Sequence, residues 1–134
     1  MTKYLLDTDI CIYAINGRNP KIIDKFKSRP VGEIALSAIT LAELEYGASK
    51  SAHRDRNRLM LIGFASPFKI FPFDGRDAEM FGILRAYLER AGTPIDPYDL
   101  QIAAQGLARN CTLVTNNVRE FERIPGLKVE NWAV

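Results

Sequence analysis

The chain has 134 residues, 47% apolar and 25% charged. That is the size and balance of one globular domain able to bury a core without staples. No apolar run approaches the roughly 20 residues that cross a bilayer, and Asp7 breaks the apolar stretch Tyr4-Leu5-Leu6, which argues against a signal peptide. One histidine, His53, and two distant cysteines, Cys11 and Cys111, exclude a zinc centre built on His and Cys. The cysteines lie in apolar surroundings and read as reduced core residues of a cytoplasmic protein.

Taken in order, Tyr4-Leu5-Leu6 reads as a short buried strand and Asp9 to Ile15 as a short helix. Gly17 and Pro20 mark a turn, Lys21 to Lys27 a second helix, and Glu33 to Ser37 a second strand. Thr40 is expected to cap a helix reaching about Ser49, with Leu41, Leu44 and Ala48 on one face and Glu43 completing a capping box. His53 to Ala65 is a helix, charged early and apolar late, and Lys69-Ile70-Phe71 is a third strand. Ala78 to Ala91 is an amphipathic helix stopped by Gly92. Pro97 to Ala108 is a helix apolar nearly all round, hence buried. Thr112 to Thr115 and Leu127 to Val129 supply the fourth and fifth strands. Strands alternating with helices imply an α/β fold with a mainly parallel sheet and helices on both faces. Ligands of such sheets bind beyond the carboxyl ends of the strands.

Acids occur where those ends are expected. Asp7 follows the first strand, a costly place for a charge unless it is paired or bound to a cation. Capping the next helix is the alternative, but Asp9 offers the same cap. Glu43 divides evenly between a capping role and a site role; Glu45 is solvated and has no role. Asp99 heads the face Ile102, Ala103 and Gly106 of the most apolar helix, while Asp96, just before Pro97, supplies the cap or an auxiliary group. After the fourth strand, Thr115, Asn116 and Asn117 form a turn or a site wall, and Glu120 joins the site or pairs with Arg123. Acids gathered there repel one another unless a cation lies among them. Oxygen donors without a His cluster point to Mg²⁺ or Mn²⁺, and so to phosphodiester hydrolysis. With Asp7, Glu43, Asp99 and Glu120 set aside, twelve acids face eighteen bases, a surround of +6 that suits a polyanionic substrate.

Four segments carry a resemblance: Leu5-Leu6-Asp7-Thr8-Asp9, Leu41-Ala42-Glu43-Leu44-Glu45-Tyr46-Gly47, Pro94 to Ala104, and Leu113-Val114-Thr115-Asn116-Asn117. In this order and at these separations they resemble PIN-domain ribonucleases, and among them the VapC toxins of bacterial toxin–antitoxin pairs. The resemblance spans essentially the whole chain. It implies a PIN-like three-layer α/β/α fold, a metal-dependent RNase activity, and Asp7, Glu43 and Asp99 as the metal-binding core acids. The fourth acidic position falls at Asn117, where many relatives carry Asp, with Glu120 as its substitute. Asp9 stands where Asn or Ser is usual, and Thr8 and Thr115 are auxiliary polar groups. The resemblance further implies a VapB-type antitoxin, a homodimer, and tRNA or ribosomal RNA as substrate.

Arg54, Arg56 and Arg58 read as a solvated helix face rather than an RNA groove, and Arg85, Arg90, Arg109 and Arg119 are open between the two. Tyr46, Phe64, Phe68, Phe71 and Phe81 read as core or dimer surface. Two rivals stand beside the ribonuclease. One is a HAD-like phosphatase using Asp7 as nucleophile, against which Cys11 replaces the threonine expected two residues after Asp9. The other is a non-catalytic RNA-binding module.

Overall fold

In the computed structural model, which describes residues 1–134, five short strands form one parallel sheet. They are β1 (Tyr4–Leu6), β2 (Ile34–Ser37), β3 (Lys69–Phe71), β4 (Thr112–Val114) and β5 (Val129–Glu130), in the order β3-β2-β1-β4-β5. The helices are α1 (Thr8–Asn16), α2 (Pro20–Lys27), α3 (Ala38–Lys50), α4 (Arg54–Ala65), α5 (Gly75–Arg90), α6 (Pro97–Ala108) and the single turn α7 (Val118–Phe121). The three-layer α/β/α architecture expected from the alternation is the one observed.

Strand alternation divides the interior in two, because successive side chains leave opposite faces of a sheet. Leu5 pairs in register with Ala35 and Leu113, and all three enter a core with Leu84 and Leu88 of α5 and Leu100, Ala103 and Ala104 of α6. Leu6 pairs with Leu36 and Val114 and turns to the other face, against Ile10, Ile22, Leu44 and Leu61. Each large apolar side chain so buried contributes roughly 1.5–3 kcal/mol. Cys11 and Cys111 are free and buried in these cores, as expected.

Several boundaries differ from the sequence reading, each for a local reason. Helix α3 begins at Ala38 because the Ser37 hydroxyl accepts the Ile39 amide; Thr40 is buried inside the helix and is not its cap. Helix α5 starts three residues early because Asp74 and Asp77 form a reciprocal capping box. Strand β5 starts at Val129, the ladder opening where the Lys128 carbonyl accepts the Leu113 amide. Gly92 stops α5 as expected, with φ 74° and its amide donating to Glu89.

Asp77 is fully buried, and Arg109 donates to it at 2.9 Å while stacking 4.5 Å from the Phe71 ring centroid. Burial opposes ionisation of Asp77. Hydrogen bonds from Arg109, the Asp74 amide and Gln105, with the Arg109 charge, nonetheless hold its carboxyl below the ordinary value. Arg109 therefore ties the end of α6 to the start of α5 and is not an open RNA-facing cation.

Candidate active site

The chain runs from β1 outward to β2 and β3 on one side, then returns to place β4 and β5 on the other. The order reverses between β1 and β4, the point where sheets of this kind offer a ligand crevice beyond the strands' carboxyl ends. Asp7 follows β1 there and Thr115 follows β4. The Asp7 amide donates to the Val114 carbonyl at 3.0 Å, so the two strand ends are locked together under the site.

Asp7 is 4% exposed. Its Oδ1 accepts the Ile10 amide at 3.0 Å, making it the N-cap of α1. Of the two acids that could fill this cap, Asp7 takes it, and Asp9 lies exposed on the first turn. Burial drives the Asp7 carboxyl up from 3.8 to about 6. The Thr115 hydroxyl and the Ile10 amide pull it down, and the charges of Asp9 and Glu43 push it up.

Glu43 lies in the second turn of α3, where it cannot serve as a capping-box residue. Its Oε1 instead accepts the Thr8 hydroxyl at 2.7 Å, and Thr8 also reaches the buried Thr40 hydroxyl at 3.3 Å. The glutamate that sequence left evenly divided is turned toward Asp7 by a residue from α1.

Asp96 caps α6 by accepting the Tyr98 and Asp99 amides, with Pro97 in the first turn, as expected. Asp99 is left half-buried at the mouth of the crevice. Burial, then the charges of Glu120 and Asp96, a hydrogen bond with Glu120 and the charge of Asp7 raise its carboxyl to about 7. Glu120 does not pair with Arg123, whose guanidinium donates to the Pro94 carbonyl. Its Oε2 accepts the Asn117 amide group at 2.6 Å, and the Asn117 backbone amide donates to the Thr115 hydroxyl. The Asn117 side chain thus holds Glu120 beside Asp99. That link depends on the turn after β4 and has no signature in spacing.

The four acids thus form two neighbouring pairs, Asp7 with Glu43 and Asp99 with Glu120. No three of them converge into a ready-made coordination shell. One acceptor lacks any donor: Glu120 Oε1 is buried without a hydrogen-bond partner. A buried carboxylate oxygen of that kind is unstable unless a proton or cation meets it. Hard oxygen donors with an orphaned acceptor fit Mg²⁺ or Mn²⁺ and do not fit a soft metal. Of the aromatics read as core or dimer surface, Tyr46 is on the surface, 66% exposed beside this site. Phe64, Phe68, Phe71 and Phe81 do pack on the cores.

Residues 4–127 match the family model described as PIN domain. Over 132 residues the chain is 42% identical to the tRNA(fMet)-specific endonuclease VapC of Salmonella typhimurium, covering 98% of this chain and 99% of that protein. It is 44% identical over 130 residues to Ribonuclease VapC2 of Rickettsia felis, covering 96% and 97%. Among solved structures, a chain of the DNA-bound VapBC complex from Salmonella typhimurium matches with a TM-score of 0.94 at 42% identity, covering 98% and 99%. These similarities set aside both the phosphatase and the non-catalytic module. The chain belongs to the PIN domain family, among the VapC ribonucleases of VapBC toxin–antitoxin systems.

Proposed function

We propose that this single-domain ribonuclease is a divalent-metal-dependent endonuclease of tRNA, with Asp7, Glu43, Asp99 and Glu120 as its acidic site. The observation that supports this most is the pair Asp7 and Asp99, both held far above ordinary carboxylates in one crevice beside an unpartnered Glu120 oxygen. Asp7 and Asp99, with Glu43, would hold Mg²⁺ or Mn²⁺, and Glu120 would complete the wall. A divalent cation in such a site polarises phosphate oxygens and lowers the pKa of water.

The chain's own residues have separable duties in this reading. The Thr115 hydroxyl and Ile10 amide fix the Asp7 carboxylate. Thr8 aims Glu43, and Asn117 aims Glu120. The Asp99 carboxyl, raised to about 7 by burial and by the charge of Glu120 beside it, can accept a proton near neutral pH. Asp9 and Asp96 act on the site through their charge.

The choice of tRNA follows the Salmonella relative, which is named for tRNA(fMet). A VapB-type antitoxin is the partner expected from the VapBC complexes that share the fold. Exposed Leu59, Met60 and Ile62 on α4, and Ile83 and Tyr87 on α5, are apolar surface of the kind an antitoxin or a second copy of the chain would cover. The action expected on tRNA is cytoplasmic, and no helix is long and apolar enough to cross a membrane.

The deciding experiment incubates total RNA and a tRNA(fMet) transcript with the protein, with Mg²⁺ or EDTA. Asp7→Asn, Glu43→Gln and Asp99→Asn should remain folded and lose cleavage. Full activity in folded Asp99→Asn, or cleavage undiminished in EDTA, overturns the assignment.

A further inference from the structure

Beside the acids a groove of about 650 Å³ opens, with Asp9, Ile12, Glu43, Tyr46, Lys50 and Tyr98 among its walls. Glu43, Tyr46, Gly47 and Lys50 stand at i, i+3, i+4 and i+7 of α3, one stripe leading away from the acidic site. Tyr98 faces them from the head of α6, directly before Asp99. The two rings are 66% and 57% exposed, so neither is spent on the core. A Cβ built on Gly47 would meet nothing within 4 Å, which leaves the floor between them open. Lys50 Nζ lies 4.7 Å from the Tyr46 ring centroid and pairs with no carboxylate.

Building on the ribonuclease site proposed above, we propose that Tyr46 and Tyr98 hold the RNA by stacking on unpaired bases beside the cleaved phosphodiester, with Lys50 meeting the neighbouring phosphate. Sequence-specific proteins read single-stranded RNA by splaying bases onto aromatic faces. Stacking tolerates any base, because each has a π-face. Aromatic walls, a small apolar floor and one free cation match a nucleotide better than an apolar peptide, which has no use for the lysine. The groove's continuity with Glu43 puts the stacked base within a nucleotide or so of the acids.

The test uses a tRNA(fMet) transcript whose cleavage position has first been mapped, and then short RNAs carrying that position. Tyr46→Leu and Tyr98→Leu should each lower kcat/KM by roughly 5- to 150-fold, the span of one base–aromatic stack. The loss should fall chiefly on KM, and Tyr→Phe should restore it. Melting temperatures should stay at the wild-type value, since both rings are exposed. RNAs carrying one abasic nucleotide, scanned through three positions on each side of the cut, supply the second arm. One of them should be as poor for wild type as the intact RNA is for Tyr98→Leu, with no further loss when the two changes are combined. Leu variants with KM within twofold of wild type, or additive losses in every combination, overturn the stacking role. So do variants that cleave normally and escape only inhibition by the antitoxin, which would make the groove a protein-docking surface. Failure of wild type to cleave any RNA with Mg²⁺ is different: it overturns the site reading on which this inference rests.

Discussion

Replacing Asp7 by Asn should stabilise the protein when divalent metal is removed, and only above acid pH. The folded carboxyl titrates at about 6 against an ordinary 3.8, mainly because it is buried, and it is 4% exposed, so solvent screens little of the effect. At about 1.4 kcal/mol per pH unit the difference is about 3 kcal/mol. The sign follows from proton linkage. A raised folded-state carboxyl pKa favours the folded protein below 3.8, and this contribution is lost as pH climbs to about 6 and beyond. Asn keeps the Oδ1 that accepts the Ile10 amide, and Asn is as good a helix cap as Asp. The variant should therefore exceed wild type by up to about 3 kcal/mol at pH ~7.5, near 10 °C in Tm for a chain of this length, and match it near pH ~4. Asp99 titrates in both proteins and largely cancels in the difference. Urea melts in EDTA across this range measure it. A wild-type-minus-variant difference that does not change with pH would refute the reasoning, since a site without strain has nothing to titrate.

Mg²⁺ should raise the wild-type Tm more at neutral pH than near pH ~4.5, because it binds the ionised site, and the shift should shrink in Asp7→Asn; an equal shift removes Asp7 from the metal site. Glu120→Gln should cost more cleavage than Asn117→Ala, as the asparagine only aims the glutamate that faces Asp99; initial rates on one tRNA transcript decide it, and the reverse order refutes the arrangement. Arg109→Met leaves Asp77 buried without its cation and should destabilise the fold by about 3–5 kcal/mol in urea melts at neutral pH. The Asp77 contribution is present above its ordinary pKa and fades as pH falls, so the deficit should narrow in acid.

Most of the secondary structure was legible because apolar period and punctuation are local. Pro97 to Ala108 was read with its observed bounds, since Asp96, Pro97 and an apolar run all act within one helix. The parallel sheet followed from strand–helix alternation, and Asp7 and Asp99 stood out as acids at the edges of apolar segments, where a charge is costly. What sequence could not decide were roles shared across distant elements. Asp7 and Asp9 compete equally for one cap on paper, and only the backbone at the end of β1 gives it to Asp7. Glu43 was ambiguous until Ser37 took the cap and Thr8, 35 positions earlier, supplied its hydrogen bond. Arg109 reads as a surface cation until α5 brings it a buried carboxylate, and Tyr46 is open between core and surface until α3 turns its ring outward. Periodicity reports which face of an element is apolar. Which polar side chains from separate elements meet is set by the order of strands in the sheet, and here the reversal between β1 and β4 gathers residues from both halves of the chain into one crevice.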